Sequence, residues 1–199
     1  MKPYIAVIVA LGAAPALFAA AAVGRPAPDF AAKAADGRTV RLADYRGKTV
    51  VLEWNNPGCP FVQKHYKGNM QKTQAAARAA GAVWLTVNSG APGQQGHMSG
   101  PEAVRFVRSA KAVTSAYLLD PDGAIGRLYG ARTTPHMFVI APDGRLAYAG
   151  GIDDIPSADV ADLPKAKNMV LAALTDLKAG RPVATRQARA YGCSVKYAS

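Results

Sequence analysis

Apolar residues along this chain gather into short unbroken runs, separated by polar stretches rich in glycine and proline. Val50-Val51-Leu52-Glu53-Trp54 is one such run, interrupted by a single acid, and Ala82-Val83-Trp84-Leu85-Thr86-Val87 is a second. Runs apolar at nearly every position predict strands covered by helices on both faces. Between them, from Pro60 to about Ala80, the spacing becomes helical until Gly81 stops it. Farther along, Pro101 opens a helix that reaches about Ala110, Ala116 to Leu119 reads as a short strand, and Asp122 to Tyr129 as a short helix. Met137 to Ile140 and Leu146 to Ala149 are strands joined by Pro142-Asp143-Gly144, a hairpin signal. In Lys165 to Lys178, Val170, Leu171, Leu174 and Leu177 recur at the spacing of a one-faced helix. A β-α-β opening, then a hairpin and a last helix, predicts an α/β domain with a mixed central sheet flanked by helices.

The ends of the chain follow other patterns. Lys2 precedes a run from Tyr4 to Ala22 without a charged residue, closing on Phe18-Ala19-Ala20-Ala21-Ala22. That is the layout of a secretory signal with A-x-A cleavage sites, so residues 1–22 are expected to be a signal peptide; the alternative is an uncleaved membrane anchor. Residues 23–36 contain Gly24, Pro26 and Pro28 and read as an extended arm leading into the Asp36-Gly37 turn, after which Thr39 to Leu42 alternates as a short strand would. Residues 23–180 are expected to form one domain. Residues 181–199 form a polar, basic tail ending in Tyr191-Gly192-Cys193-Ser194-Val195-Lys196-Tyr197.

Composition narrows the classes. With 50% hydrophobic and 19% charged residues, the 199-residue chain is not mainly disordered, and two cysteines do not make a disulfide-dense miniprotein. The formal charge is +11, or +10 once Lys2 leaves with the signal. The basic residues are scattered over predicted helix faces and the tail, from Lys64, Lys67 and Lys72 to Arg186, Arg189 and Lys196. That distribution reads as solvated surface, and no nucleic-acid partner is expected.

Cys59 is the sharpest chemical feature. It stands where a buried strand ends and a helix begins, behind Asn55-Asn56-Pro57-Gly58 and ahead of Pro60 at the first helical position. Unpaired backbone N–H groups and the positive end of the helix dipole favour thiolate over thiol there. The other reading is a buried structural cysteine.

At these residues the sequence resembles a known superfamily. Asp36-Gly37, Leu42, Tyr45-Arg46-Gly47-Lys48 and Val50-Val51-Leu52 leading into Cys59-Pro60 resemble the redoxin group, which joins the alkyl hydroperoxide reductase/thiol-specific antioxidant proteins (peroxiredoxins) to the periplasmic thioredoxin-like proteins. Thr133-Thr134-Pro135 ahead of Phe138-Val139-Ile140 resembles the cis-proline segment of thioredoxins. The resemblance spans roughly residues 26–180 and implies a thioredoxin-like fold. It also implies a thiol-based oxidoreductase, while the signal-like first segment points to an extracytoplasmic, periplasmic setting. Three departures stand out. Val62 occupies the second cysteine position of a C-x-x-C; Leu52 and Asn56 stand where peroxiredoxins have proline and threonine or serine. Pro135 and His136 stand where peroxiredoxins have an arginine, leaving Arg132, slightly upstream, as the candidate activator.

Cys193 is the only possible internal partner of Cys59, either as a staple for the tail or as a resolving cysteine that attacks oxidised Cys59; both thiols free is the third possibility. By its offset from Cys59, Glu53 matches the buried proton-relaying acid of thioredoxins; alternatively it meets Lys48 or Lys64 at the strand end. If Pro135 is cis, the Thr134 backbone faces the Cys59 sulfur. Tyr66 shares the helix face of Cys59 and is placed to line the sulfur pocket, while His65 points to the surface. The site is therefore expected to comprise Cys59, Cys193, Glu53, Thr134, Pro135 and Arg132.

Three activities remain open. In the first, Cys59 reduces a peroxide and Cys193 or an external thiol reductant resolves it. The second is thioredoxin-type thiol–disulfide exchange. The third is a non-enzymatic binding or copper-handling module, suggested by His97-Met98 and His136-Met137 beside Cys59. No cofactor and no metal is expected in the first two, and the membrane is a partner only through an uncleaved signal.

Overall fold

The computed structural model describes residues 20–198, so most of the expected signal segment lies outside the described residues. From the N-terminal side, the arm enters strand β1 (Ala31–Ala34), turns at Gly37 with φ +88°, and returns as β2 (Thr39–Arg41). Then follow β3 (Val50–Trp54), helices α1 (Pro60–His65) and α2 (Asn69–Ala79), and β4 (Val83–Asn88). Helix α3 (Gly100–Ser109) leads to β5 (Ala116–Leu119), α4 (Ala124–Tyr129) and the two-residue β6 (Thr133–Thr134). The hairpin β7 (His136–Ile140) and β8 (Leu146–Gly150), helix α5 (Met169–Lys178) and β9 (Cys193–Ser194) complete the order.

Seven strands form one mixed sheet, in the order β2-β1-β5-β4-β3-β7-β8. β3 runs parallel to β4, and β4 to β5, whereas β7 lies antiparallel to β3 with Glu53 opposite Met137. The arm segment read as merely extended supplies β1, which pairs antiparallel with β5. β6 and β9 make a separate pair, with Thr134 opposite Cys193.

Alternation along β3 explains both cores. Val50, Leu52 and Trp54 face one side, with Leu85, Val87, Leu118 and Phe138. Val51 faces the other, with Met70, Trp84, Val139, Tyr148 and Val170. Each large side chain so buried contributes about 1.5–3 kcal/mol. Parity places Glu53 on the Val51 side, toward α2, so the acid is an interior group rather than a strand-end one.

One predicted element divides. The helix expected from Pro60 to about Ala80 breaks at Gly68, whose φ of +117° lies in the left-handed region that glycine tolerates. The Tyr66 N–H still bonds back to the Val62 carbonyl, and α2 restarts with the Gly68 N–H donating to Gln71 Oε1 at 3.1 Å. α5 likewise starts later than read, because the Asn168 side chain caps it by accepting from the Leu171 N–H at 2.9 Å. Residues 181–198 fold back over the body: Val183 and Tyr191 are buried, and Val195 N–H bonds to the Arg132 carbonyl.

Candidate active site

Cys59 caps α1 in extended backbone (φ −82°, ψ 124°), with Pro60 at the first helical position, where its missing N–H costs nothing. The preceding turn is held by Asn56, whose Oδ1 accepts from the Gly58 N–H at 2.9 Å and whose carbonyl accepts from the Cys59 N–H at 3.0 Å. A Cβ on Gly58 would stand 2.1 Å from Gln95 Nε2, so the end of the Gln95 side chain would have to shift to admit one.

Two groups meet the Cys59 sulfur. The Thr134 carbonyl oxygen lies 3.0 Å from it, across a cis Thr134–Pro135 bond, and the Cys193 sulfur lies 2.7 Å away. Both thiols are free. Cys59 has no solvent exposure, whereas Cys193 is part-exposed above it. The buried Cys59 sulfur therefore meets a second sulfur and a backbone carbonyl. Burial alone would raise the Cys59 pKa; the Cys193 S–H, the Val62 N–H and the Thr134 side chain outweigh it and bring the thiol below its ordinary 9. Cys193 moves oppositely, to about 11, through burial and its place as hydrogen-bond donor beside Cys59, with Lys196 opposing. The pair thus shares its first charge on the buried sulfur.

Glu53 is wholly buried and meets neither Lys48 nor Lys64. Its Oε1 accepts from Asn55 Nδ2 at 3.0 Å and the Tyr66 hydroxyl at 2.8 Å; its Oε2 accepts from Trp84 Nε1 at 2.8 Å, Gln74 Nε2 at 3.1 Å and the Thr86 hydroxyl at 3.2 Å. Burial nevertheless raises its pKa above 4.5, the Trp84, Asn55, Tyr66 and Gln74 donors moderating the effect. The two hydroxyls can turn to accept a proton from the carboxyl, so either charge state is satisfiable. Tyr66, expected to line the sulfur pocket, directs its hydroxyl to Glu53 instead.

The structure corrects two further readings. His65 is fully buried rather than on the surface, because the C-terminal segment and the 153–157 stretch cover that side of α1. Burial and the nearby Lys64 ammonium depress its pKa to about 3. Lys64 is buried with it, donating to the Ser157 carbonyl at 3.0 Å, and is not a solvated face. Arg132 is exposed and makes no side-chain hydrogen bond to either sulfur; its backbone N–H donates to His136 Nδ1 at 3.3 Å. For the copper alternative, His97 Nδ1 is taken up by the Gly90 carbonyl at 2.8 Å, and no group of three His, Cys, Asp or Glu side chains placed to hold a metal occurs among the described residues.

Sequence reasoning missed Tyr191. It is buried two residues before Cys193, with its hydroxyl donating to Asp153 and facing His65 Nε2 at 3.2 Å. The signal available was a set of apolar and aromatic residues, Val183, Tyr191, Val195 and Tyr197, in an otherwise polar tail.

A mixed sheet flanked by helices, a cysteine capping the helix after its central strand, a cis-proline carbonyl on that sulfur and a buried acid beneath define a thioredoxin-fold thiol oxidoreductase. Within that class the chain belongs to the AhpC/TSA family, whose model matches residues 23–149. A Mycobacterium tuberculosis protein carrying a peroxiredoxin name is 28% identical over 142 residues, 63% of this chain and 82% of that relative. Thiol-disulfide oxidoreductase ResA of Geobacillus thermodenitrificans is 30% identical over 127 residues, 64% of this chain and 68% of the relative. A crystal structure of an uncharacterized conserved protein from Geobacillus kaustophilus superposes with a TM-score of 0.76 at 26% identity, covering 89% of this chain and 93% of that one. The family match contains Cys59, Glu53, Thr134 and Pro135 and stops short of Cys193.

Proposed function

We propose that this protein is an extracytoplasmic thiol–disulfide oxidoreductase that cycles Cys59 and Cys193 between dithiol and disulfide. The observation that carries the reading is the pair of sulfurs 2.7 Å apart with oppositely displaced pKa values. A leader-like first segment supports the extracytoplasmic setting, where disulfides persist.

In the oxidising direction, the Cys59 thiolate attacks a substrate disulfide RS–SR′ and expels R′S⁻. Cys193, deprotonated as the released thiolate takes up its proton, then attacks the Cys59 sulfur of the mixed disulfide and expels RS⁻. The protein ends oxidised by two electrons and the substrate reduced by two. For the return, exposure and leaving-group strength agree: an external thiolate attacks part-exposed Cys193, and Cys59 leaves as the more stable thiolate. A second external thiol frees Cys193. The Thr134 carbonyl and Pro135 shape the contact face, and Glu53 holds or releases a proton beneath the strand end. The Arg132 side chain makes no hydrogen bond to either sulfur, and the reading gives it no step.

Peroxide reduction is the second reading, favoured by the lowered Cys59 pKa beside a thiol and by the peroxiredoxin name of one relative. There Cys59 takes the terminal oxygen of ROOH, releases ROH and becomes a sulfenic acid; Cys193 displaces that oxygen as water and closes the same disulfide. Stopped-flow consumption of hydrogen peroxide by the reduced protein, beside its reduction of insulin, separates the two. Ready insulin reduction, with peroxide consumed no faster than by a free thiol, is the expected result. Fast peroxide consumption without disulfide exchange overturns the first reading in favour of the second.

A further inference from the structure

A polar relay buried between α1 and the C-terminal segment has no part in the chemistry above. Asn69 Nδ2 donates to His65 Nδ1 at 2.8 Å, which leaves the ring proton on Nε2, pointing to the Tyr191 hydroxyl at 3.2 Å. The Tyr191 hydroxyl donates in turn to Asp153 Oδ1, which also accepts the Ile155 N–H at 3.2 Å. Asp153 Oδ2 is buried 3.9 Å from His65 Nε2, with no hydrogen-bond partner among the described residues. The Tyr191 ring meets Phe61 edge to face at 5.9 Å. Phe61 and His65 are one turn apart on α1, the helix that Cys59 caps.

Such a relay is a poor choice for stability alone, since an apolar filling would avoid the unpartnered oxygen. What it does provide is direction. One residue beyond Tyr191, Gly192 adopts φ +131°, and a Cβ there would stand 2.1 Å from the Thr134 carbonyl oxygen, the atom that touches the Cys59 sulfur. One residue further, Cys193 pairs with Thr134 and meets Cys59. Anchor, close approach and sulfur are consecutive, and the anchor is fixed to the helix that carries the other sulfur.

We propose that the His65–Tyr191–Asp153 relay is a positioning device that sets the effective concentration of Cys193 at Cys59. It thereby favours closure of the internal disulfide over capture of Cys59 by an outside thiol. The proposal rests on the reading that these two cysteines cycle. The step governed is attack of the Cys193 thiolate on a Cys59–S–S–R mixed disulfide, with RS⁻ leaving and no net change in oxidation.

The test equilibrates the full chain with glutathione, blocks thiols, and quantifies internal disulfide against the Cys59–glutathione adduct by mass spectrometry. Tyr191→Phe keeps the ring on Phe61 and removes the hydroxyl; it is expected to lower the effective concentration about tenfold, equivalent to about 1.4 kcal/mol. Asp153→Asn should act in the same direction and serves if the first variant folds poorly. In a Cys193→Ser background, alkylation of Cys59 should be unaffected by Tyr191→Phe, which separates positioning from reactivity. A lowered melting temperature with an unchanged internal-disulfide ratio in both variants overturns the proposal and leaves a structural role. A Cys193→Ser protein that turns over substrate as well as wild type removes instead the reading on which the proposal stands.

Discussion

The two sulfurs at the centre of this protein are held in different ways. Cys59 is fixed by the fold itself: a buried strand, an Asx-stabilised turn and the first turn of a helix converge on it, all inside the span shared with the AhpC/TSA family. Cys193 lies beyond that span on a two-residue strand, held by side chains that return from a polar tail. The Tyr197 hydroxyl donates to the Ala131 carbonyl at 2.7 Å, and the Arg127 guanidinium lies over the Tyr197 ring. Cys59 is thus placed by elements of the family's own span, whereas Cys193 reaches it from a segment outside that span, through side-chain contacts.

The strongest way to break that comparison is to remove one sulfur at a time. Cys59→Ser is expected to abolish turnover, a loss of about 10³-fold or more in insulin reduction. Cys193→Ser should leave Cys59 open to alkylation while cutting multiple turnover with an external thiol about 100-fold, as an internal attack becomes bimolecular. Next in size is Gly192→Ala. Its Cβ would collide with the Thr134 carbonyl in a backbone conformation that alanine resists, so the β6–β9 pair must part, at about 1–3 kcal/mol. Denaturant unfolding and the glutathione equilibrium should both register this loss.

Acid sharpens the comparison from the other side. His65 and His136 are neutral in the fold, with pKa values near 3 and 4, against 6.5 when exposed. The unfolded chain therefore binds the extra protons. Stability is full above about pH 6.5 and falls as pH drops, at about 1.4 kcal/mol per pH unit for each histidine until its folded value is reached. Urea midpoints measured from pH 7 to pH 4.5 should show this, and His136→Gln should shallow the slope. The smallest effect concerns Glu53. Its raised pKa means that the folded state keeps a proton, a contribution fully present below about pH 4.5 and lost as pH rises through the folded value. Glu53→Gln should therefore compare progressively better with wild type above pH 4.5, by about 1 kcal/mol per pH unit or less.

Local pattern carried far in this sequence. The apolar run ending at Asn55-Asn56-Pro57-Gly58 placed Cys59 at the head of a helix, because strand, turn and cap signals are contiguous there. Pro142-Asp143-Gly144 placed the hairpin for the same reason, and Thr133-Thr134-Pro135 marked the loop now seen against the sulfur through its family resemblance. What was not legible depends on contacts across the chain. His65 is buried by a tyrosine 126 positions away, and no helical wheel of α1 contains that tyrosine. The break at Gly68 depends on a left-handed backbone that a lone glycine permits but does not require, so the helical spacing from Pro60 to Ala80 does not announce it. Proximity in sequence to Pro135 says nothing of where the Arg132 side chain lies, and it is exposed just ahead of β6.

Cys59 and Cys193 are proposed to form one redox pair. Its most direct test is to treat reduced protein with one equivalent of oxidant, block the remaining thiols, digest, and identify the cross-linked peptides. The account predicts a single Cys59–Cys193 disulfide in nearly all molecules and no blocked thiol. A blocked Cys193 beside a Cys59 oxidised alone, to sulfenic acid or an external mixed disulfide, would contradict it.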